Sequence, residues 1–215
     1  MKKSTEKIFN DMNYRYPELK TLTIKKAVVE IVECYKRQNK LLICGNGGSA
    51  ADALHIVGEL MKGFLLPRKI DKDKQERIKH LFPETAQYFI DNLQGALPAI
   101  SLVNETSLLT AYANDQASDL SFAQQVLGHG VVGDILIAIS TSGNSKNVIY
   151  AAQTAKVQGM KVISLTGDNG GRLRELSDII INVPSNETYI IQEYHLPVYH
   201  ALCAAVENEI FFVEG

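Results

Sequence analysis

At 215 residues the chain fits one ordinary domain, and its 46% apolar content supplies a sizeable core, which excludes a disordered tail protein. With 22 Lys+Arg against 24 Asp+Glu the formal net charge is −2, so there is no global basic field to hold nucleic acid or an anionic membrane. No apolar run approaches the roughly eighteen residues a bilayer span needs, and MKKSTEKIFN turns polar before a signal-peptide core forms, so the expectation is a cytoplasmic protein. Cys34, Cys44 and Cys203 are widely separated and odd in number, which predicts buried free thiols rather than disulfides or a Cys-based zinc site.

Residues 1–39 precede the first strand and are predicted to be helical. The clearer helix there covers Leu22 to Gln38, where Ile24, Ala27, Val28, Ile31, Val32 and Tyr35 form one apolar stripe. β-Branched runs then follow at 41–45, 98–103, 134–140, 161–167 and 178–183. All but the last are short and continuously apolar, which suits central strands of a parallel sheet covered on both faces. Helical patterns separate them at Ala50 to Met61, Glu105 to Asn114, Asn144 to Gln158 and briefly near Arg172. That alternation predicts an α/β fold, a doubly wound three-layer αβα sandwich on a five-stranded parallel sheet, as one domain over residues 1–215.

Residues 63–94 break the rhythm, because a connection between a helix and the next strand needs only a few residues. The first half of this insertion, GFLLPRKIDKDKQERIKH, has six Lys/Arg against three Asp/Glu and reads as a solvated or subunit-contacting excursion, with contact to an anionic ligand as the alternative. The second half, HLFPETAQYFIDNL, predicts a short amphipathic helix after Pro83.

Two loops carry chemistry. The first strand runs into Gly45-Asn46-Gly47-Gly48-Ser49 and then a helix, so backbone N–H groups turn inward where a helix N-terminus favours an anion. The run also fits the dinucleotide pattern G-x-G-x-x-A. The second strand, however, ends in Ser101-Leu102-Val103-Asn104, without the acidic residue that pattern needs, and the Lys-Ser/Thr of a nucleotide-triphosphate loop is missing too. No nucleotide cofactor is therefore expected. The third strand delivers Ser140-Thr141-Ser142-Gly143-Asn144-Ser145, whose hydroxyls suit a phosphate, although a serine-rich turn with Asn144 as N-cap also merely starts a helix. In a parallel sheet both loops emerge at the carboxyl edge, where open α/β folds bind ligands.

Further on, His55 and Glu59 lie four apart on one helix face, and Gln192, His195, Tyr199 and His200 share a last helix that Pro197 is expected to kink. An isolated His-x-x-x-Glu is more often a surface pair than a metal site; its pairing with the last helix raises it above that. Asn114-Asp115 read equally well as a helix-terminal turn or as a polar contact.

Five stretches, CGNGGSAADALHIVGEL, YANDQASD, GDILIAISTSGNSKNVI, GMKVISLTGDNGG and IIQEYHLPVYH, resemble the sugar-isomerase (SIS) family and its phosphoheptose isomerase branch. The resemblance covers about Leu41 to Glu209 apart from the insertion. It implies an aldose-ketose isomerase of carbohydrate metabolism, acting on sedoheptulose 7-phosphate as a homotetramer with active sites between subunits. It also implies zinc held by His55, Glu59, Gln192 and His200, with Glu59 and His200 as the acid/base pair. By the same match, Asn46, Gly47, Gly48, Ser49, Asn114, Asp115, Ser140, Thr141, Ser142 and Ser145 would bind substrate, together with Glu59 and Gln192. Two His and one carboxylate suit zinc, while Gln is a less usual ligand. Tyr189 stands where those isomerases carry Asp, and the insertion is absent from their compact members. Some relatives instead bind the bacterial replication-initiator protein and lack residues matching Glu59 and His200; others sense phosphosugars in regulators. Glu59, Ser142 and His200 are all present here, which favours an enzyme.

Overall fold

The computed structural model describes residues 1–212. Two helices, α1 (Lys3–Arg15) and α2 (Thr21–Lys36), lead into β1 (Leu41–Cys44) and α3 (Gly48–Met61). The insertion holds two short helices, α4 (Lys72–Leu81) and α5 (Ala86–Asn92). Then come β2 (Ala99–Ser101), α6 (Thr106–Tyr112), a π turn over Ala113–Ala117, a 3₁₀ turn over Ser118–Leu120 and α7 (Ser121–His129). The chain continues as β3 (Ile135–Ile139), α8 (Lys146–Val157), β4 (Lys161–Thr166), α9 (Leu173–Leu176), β5 (Ile179–Asn182) and α10 (Thr188–Phe211).

The five strands are all parallel, in the order β2-β1-β3-β4-β5. Side chains alternate between two cores, as a period of two on a sheet covered on both faces demands. Leu41, Ile43, Ile135, Ile137, Ile139, Ile163 and Leu165 point to one face, against α1, α2, α3 and α10. Leu42, Cys44, Leu136, Ala138 and Val162 point to the other, against α7, α8 and α9. Burying each such Leu or Ile contributes about 1.5–3 kcal/mol, so the three-layer sandwich is held mainly by these two seams. Cys34, Cys44 and Cys203 are free and buried, and burial pushes their thiols up to about 11, 12 and 12.

The sheet departs from expectation at β2, which is an edge strand rather than a central one; its apolar residues are kept from water by helices rather than by a second neighbouring strand. Two helices come without a sequence expectation. One is α7, whose Phe122, Ala123 and Val126 pack into the second core. The other is α4, started by Asp71, whose side chain accepts a 2.8 Å bond from the Lys74 N–H. The insertion is solvated along α4, which has no buried residue, but not at its root. There Arg68 and Ile70 are buried, and a bridge between Lys69 and Gln94 ties the two ends together. The final helix runs through Pro197 as one element.

Candidate active site

The order β2-β1-β3 places the ends of β1 and β3 side by side, so their two loops meet at the carboxyl edge. Gly47 is the N-cap of α3 with φ +55°, and the N–H groups of Ser49 and Ala50 close back on the carbonyls of Asn46 and Gly47 at 3.0 Å. The side-chain amides of Asn46 and Asn147 donate to each other's oxygen at 2.8 Å, joining the glycine turn to the first turn of α8. Beside that pair a cleft of about 370 Å³ is lined by Asn46, Ser118, Asp119, Ser145 and Lys146.

The serine turn is braced from within. Ser140 and Ser145 hydroxyls lie 3.0 Å apart, and the Asn144 N–H donates to the Ser142 hydroxyl at 3.1 Å. Ser145, not Asn144, occupies the N-cap position of α8, and the Asn144 side chain instead accepts from the Arg172 N–H at 3.0 Å. Gly143 has φ +66° and lies so close to the turn after β4 that a Cβ there would meet the Gly170 carbonyl oxygen at 2.0 Å. On the far side of the serine turn lies a second cavity of about 290 Å³, lined by Thr141, Ser142, Asn144, Asn169, Asn186 and Thr188. Sequence reading missed its Asn169, Asn186 and Thr188; a signal for Asn169 was available in GDNGG, which leaves β4 at the same sheet edge, whereas Asn186 and Thr188 lie between β5 and α10 or at the start of α10.

The titratable groups gather elsewhere, where α3 crosses α10. His55 bonds through Nδ1 to the Tyr199 hydroxyl at 3.0 Å and through Nε2 to a Glu59 carboxylate oxygen at 3.1 Å. Lys62 donates to the other Glu59 oxygen at 2.7 Å. The His200 ring packs edge-on to His55, centroids 5.1 Å apart, and against Phe64 at 5.6 Å. His200 also lines a cavity of about 260 Å³ with Phe64, Asp11 and Arg15. His200 Nε2 is buried with no hydrogen-bond partner among the described residues.

Electrostatics sets the protonation states. Partial burial pushes the Glu59 carboxyl up, but Lys62 and His55 outweigh it, and the net value lies below the ordinary carboxylate range. Burial, followed by the neighbouring His55, lowers the His200 imidazole. Burial pushes Asp52 up to about 6 against the opposing Tyr199 and His55. At neutral pH this gives an ionised carboxylate beside a neutral imidazole, a pairing suited to removing a proton and passing it on.

Three features of the predicted site are thus brought together and others are not. His55, Glu59 and His200 meet. Gln192 lies instead over the glycine turn, where a Cβ on Gly48 would touch its amide nitrogen at 2.4 Å. Asn114 and Asp115 sit on the exposed π turn, bonded to each other at 2.8 Å. His195 is buried, which pushes its imidazole down to about 4. Tyr189 is exposed near the start of α10. Among the described residues, no group of three or more His, Cys, Asp or Glu side chains is arranged as a metal-ligand cluster.

A family model described as the SIS domain matches residues 9–74 and 77–167. The chain is 41% identical over 188 residues to a phosphoheptose isomerase of Citrifermentans bemidjiense, covering 87% of this chain and 84% of that one. It is 40% identical over 206 residues to a phosphoheptose isomerase of Nitratiruptor sp., covering 96% and 92%. Among solved structures, a phosphoheptose isomerase from Francisella tularensis superposes with a TM-score of 0.73 at 30% identity over 95% of this chain and 93% of that one. One from Neisseria gonorrhoeae gives 0.70 at 33% identity, over 95% and 94%.

The chain belongs to the SIS-domain family, in its phosphoheptose isomerase branch.

Within this SIS domain the residue that sequence reading placed least well is Arg68. It belongs by sequence to the basic run of the insertion, yet its guanidinium is fully buried, 2.7 Å from an equally buried Glu207 carboxylate. Charge counting along a segment is blind to a partner 139 positions away.

Proposed function

We propose that this sugar-phosphate isomerase converts sedoheptulose 7-phosphate to an aldose of the D-glycero-D-manno-heptose 7-phosphate type through a cis-enediol(ate). The observation that carries the reading is the convergence of Glu59 and His200 on His55, with the carboxylate held ionised and the His200 imidazole held neutral. The phosphoheptose isomerase relatives supply the substrate class. In this reading Glu59 takes a proton from C1 of the ketose, and the C1–H electron pair moves into a C1–C2 double bond as the C2 carbonyl oxygen accepts a proton. The O1 proton then leaves, C1 becomes the aldehyde carbon and a proton returns to C2. His200 moves the protons at the oxygens.

The two turns hold the phosphate and sugar hydroxyls. Asn46, Gly47, Gly48, Ser49, Ser140, Thr141, Ser142 and Ser145 would serve through amides and hydroxyls, and Asn114 and Asp115 through contacts with sugar hydroxyls. From Gly48 to Glu59 the helix rises about 16 Å, at 1.5 Å per residue. That exceeds the C1-to-phosphate span of an open-chain heptose phosphate. This separation supports a homotetramer in which the turns of one subunit serve the Glu59 and His200 of another. At substrate well below the raised KM of Gly143→Ala, mixing inactive Glu59→Gln subunits with Gly143→Ala subunits should then give more activity than either alone, and a mixture that gains nothing after subunit exchange would remove the shared site.

Zinc belongs to the same reading. Two imidazoles and a carboxylate are donor types that zinc takes, and the unpartnered Nε2 of His200 fits that use. His55, Glu59 and His200 would hold the ion, which when bound polarises the sugar oxygens, while Gln192, seated over the glycine turn, stands apart from these three within its own chain. A cytoplasmic location is supported by the three buried free thiols.

The test is to incubate the protein with sedoheptulose 7-phosphate in deuterated water. The expected result is an aldose phosphate carrying deuterium at C2; aldose formed without any deuterium would replace the enediol with a direct hydride shift, and no aldose at all would remove the reading.

A further inference from the structure

The two helices that carry the reacting groups are joined by a buried knot, and every strand of it can be named. Arg68 Nη1 donates to the Leu60 carbonyl at 2.6 Å and Nη2 to the Glu59 carbonyl at 3.0 Å. These are carbonyls of the last turn of α3, which has no helical partner for them, so the guanidinium caps the helix end with the charge its dipole favours. Arg68 Nε donates to Glu207 at 2.7 Å, and both side chains are fully buried. Glu207 sits on α10, about two turns beyond His200. Its two oxygens also accept the backbone N–H groups of Phe64 and Leu65, each at 2.7 Å, and of Leu66 at 3.1 Å. Phe64 is the residue whose ring lies against His200. The Phe211 ring covers the guanidinium at 4.9 Å and helps keep water out.

We propose that Arg68 and Glu207 are positioning residues of the isomerase site: the pair sets the distance and angle between Glu59 on α3 and His200 on α10, and seats Phe64 against the imidazole. The inference rests on the isomerase reading above. Its physical basis is that one rigid fork holds the backbone of Glu59 itself, while the carboxylate it pairs with holds the backbone of Phe64. A buried pair in which each guanidinium nitrogen and each carboxylate oxygen has a partner fixes geometry more than it adds stability. The root of the insertion is thereby part of the site's framework, while its outer helix α4 is not.

Arg68→Lys keeps a charge but cannot reach the three acceptors in one plane. In a sedoheptulose 7-phosphate assay, run well below the variant's own melting temperature, kcat should fall about tenfold or more with KM within about twofold, since a misplacement near 1 Å slows chemistry without loosening a remote phosphate grip. Glu207→Asp should retain more activity than Glu207→Gln, because it keeps the acceptor charge. A kcat equal to wild type, with only the melting temperature lowered, would overturn the proposal. Amide hydrogen exchange reads the same pair without substrate. In Arg68→Lys, exchange should quicken over residues 59–66 and around residue 200 while the sheet amides stay protected; unchanged exchange in both segments also overturns it. A wild type that turns over no heptose phosphate defeats the isomerase reading instead, and the exchange result then decides alone whether the pair aligns the two helices.

Discussion

The carboxyl-edge turns and the α3–α10 crossing use opposite chemistry. The glycine and serine turns present backbone amides, hydroxyls and carboxamides, with Lys146 and Asp119 as flanking charges. The crossing presents two imidazoles and a carboxylate, and both the Glu59 carboxyl and the His200 imidazole are lowered from their ordinary values. Neutral donors hold a phosphate over a wide pH range without needing a counter-charge to stay ionised, whereas proton transfer needs groups whose charge changes. In the proposed reading binding falls to the turns and chemistry to the crossing, so substitutions in the two regions should separate cleanly in their kinetics.

The largest expected effect tests the chemical end. Glu59→Gln should lower kcat by about a thousandfold and His200→Ala by about a hundredfold, within the range general acid–base groups supply, with KM changed little. Steady-state kinetics on folded, assembled protein checks this. Equal losses in KM and kcat would break the comparison by showing that the crossing also binds.

At the other end, Gly143→Ala should raise KM about tenfold or more while sparing the proton-transfer groups. The backbone there sits at φ +66°, which costs a Cβ-bearing residue about 1–2 kcal/mol, and the new methyl would collide with the Gly170 carbonyl. The serine turn must shift to make room. A smaller effect is expected for Ser145→Ala, which removes one hydroxyl of the Ser140–Ser145 pair: a KM rise of a few-fold, about 1 kcal/mol of binding. If either variant lowers kcat while leaving KM alone, the turns take part in chemistry.

The two ends were not equally legible in the sequence. All five strands and both turns announce themselves, because a β-branched run is a local signal, as is the Gly or Ser that ends two of the runs before a helical period, and a parallel sheet brings both turns to one edge. His55 and Glu59 are likewise local, four apart on one helix. What escaped depends on distant partners. Arg68 looked like one more cation in a solvated run until Glu207 is placed beside it. The edge position of β2 is invisible because its residues are as apolar as those of a central strand, and what covers them is helix rather than sheet. Asn144 looked like an N-cap, but the turn uses its side chain to reach Arg172. The helix α7 is short and carries its apolar residues unevenly, so its pattern did not rise above the flanking turns.

The smallest expected effect on turnover lies at the amino edge of the sheet and sharpens the contrast, because charge there serves only to hold the fold. Asp134 is fully buried, accepts from the N–H groups of Lys40 and Val131 and from Asn39 at 3.0 Å, and pairs with the Lys40 ammonium at 2.6 Å. Burial alone would raise its carboxyl, but these donors reverse the direction and hold it below the ordinary range. A carboxyl lowered on folding adds stability that is fully present above its unfolded pKa, near 3.9, and is lost as pH falls through the lower folded value. Asp134→Asn should therefore cost about 2 kcal/mol in urea unfolding at pH 7. The gap from wild type should stay constant down to about pH 5 and narrow below about pH 4. A gap as wide at pH 3 as at pH 7 would mean that the cost is steric rather than electrostatic. Turnover at pH 7 should be unchanged, since the residue sits at the sheet edge opposite the turns and away from the crossing.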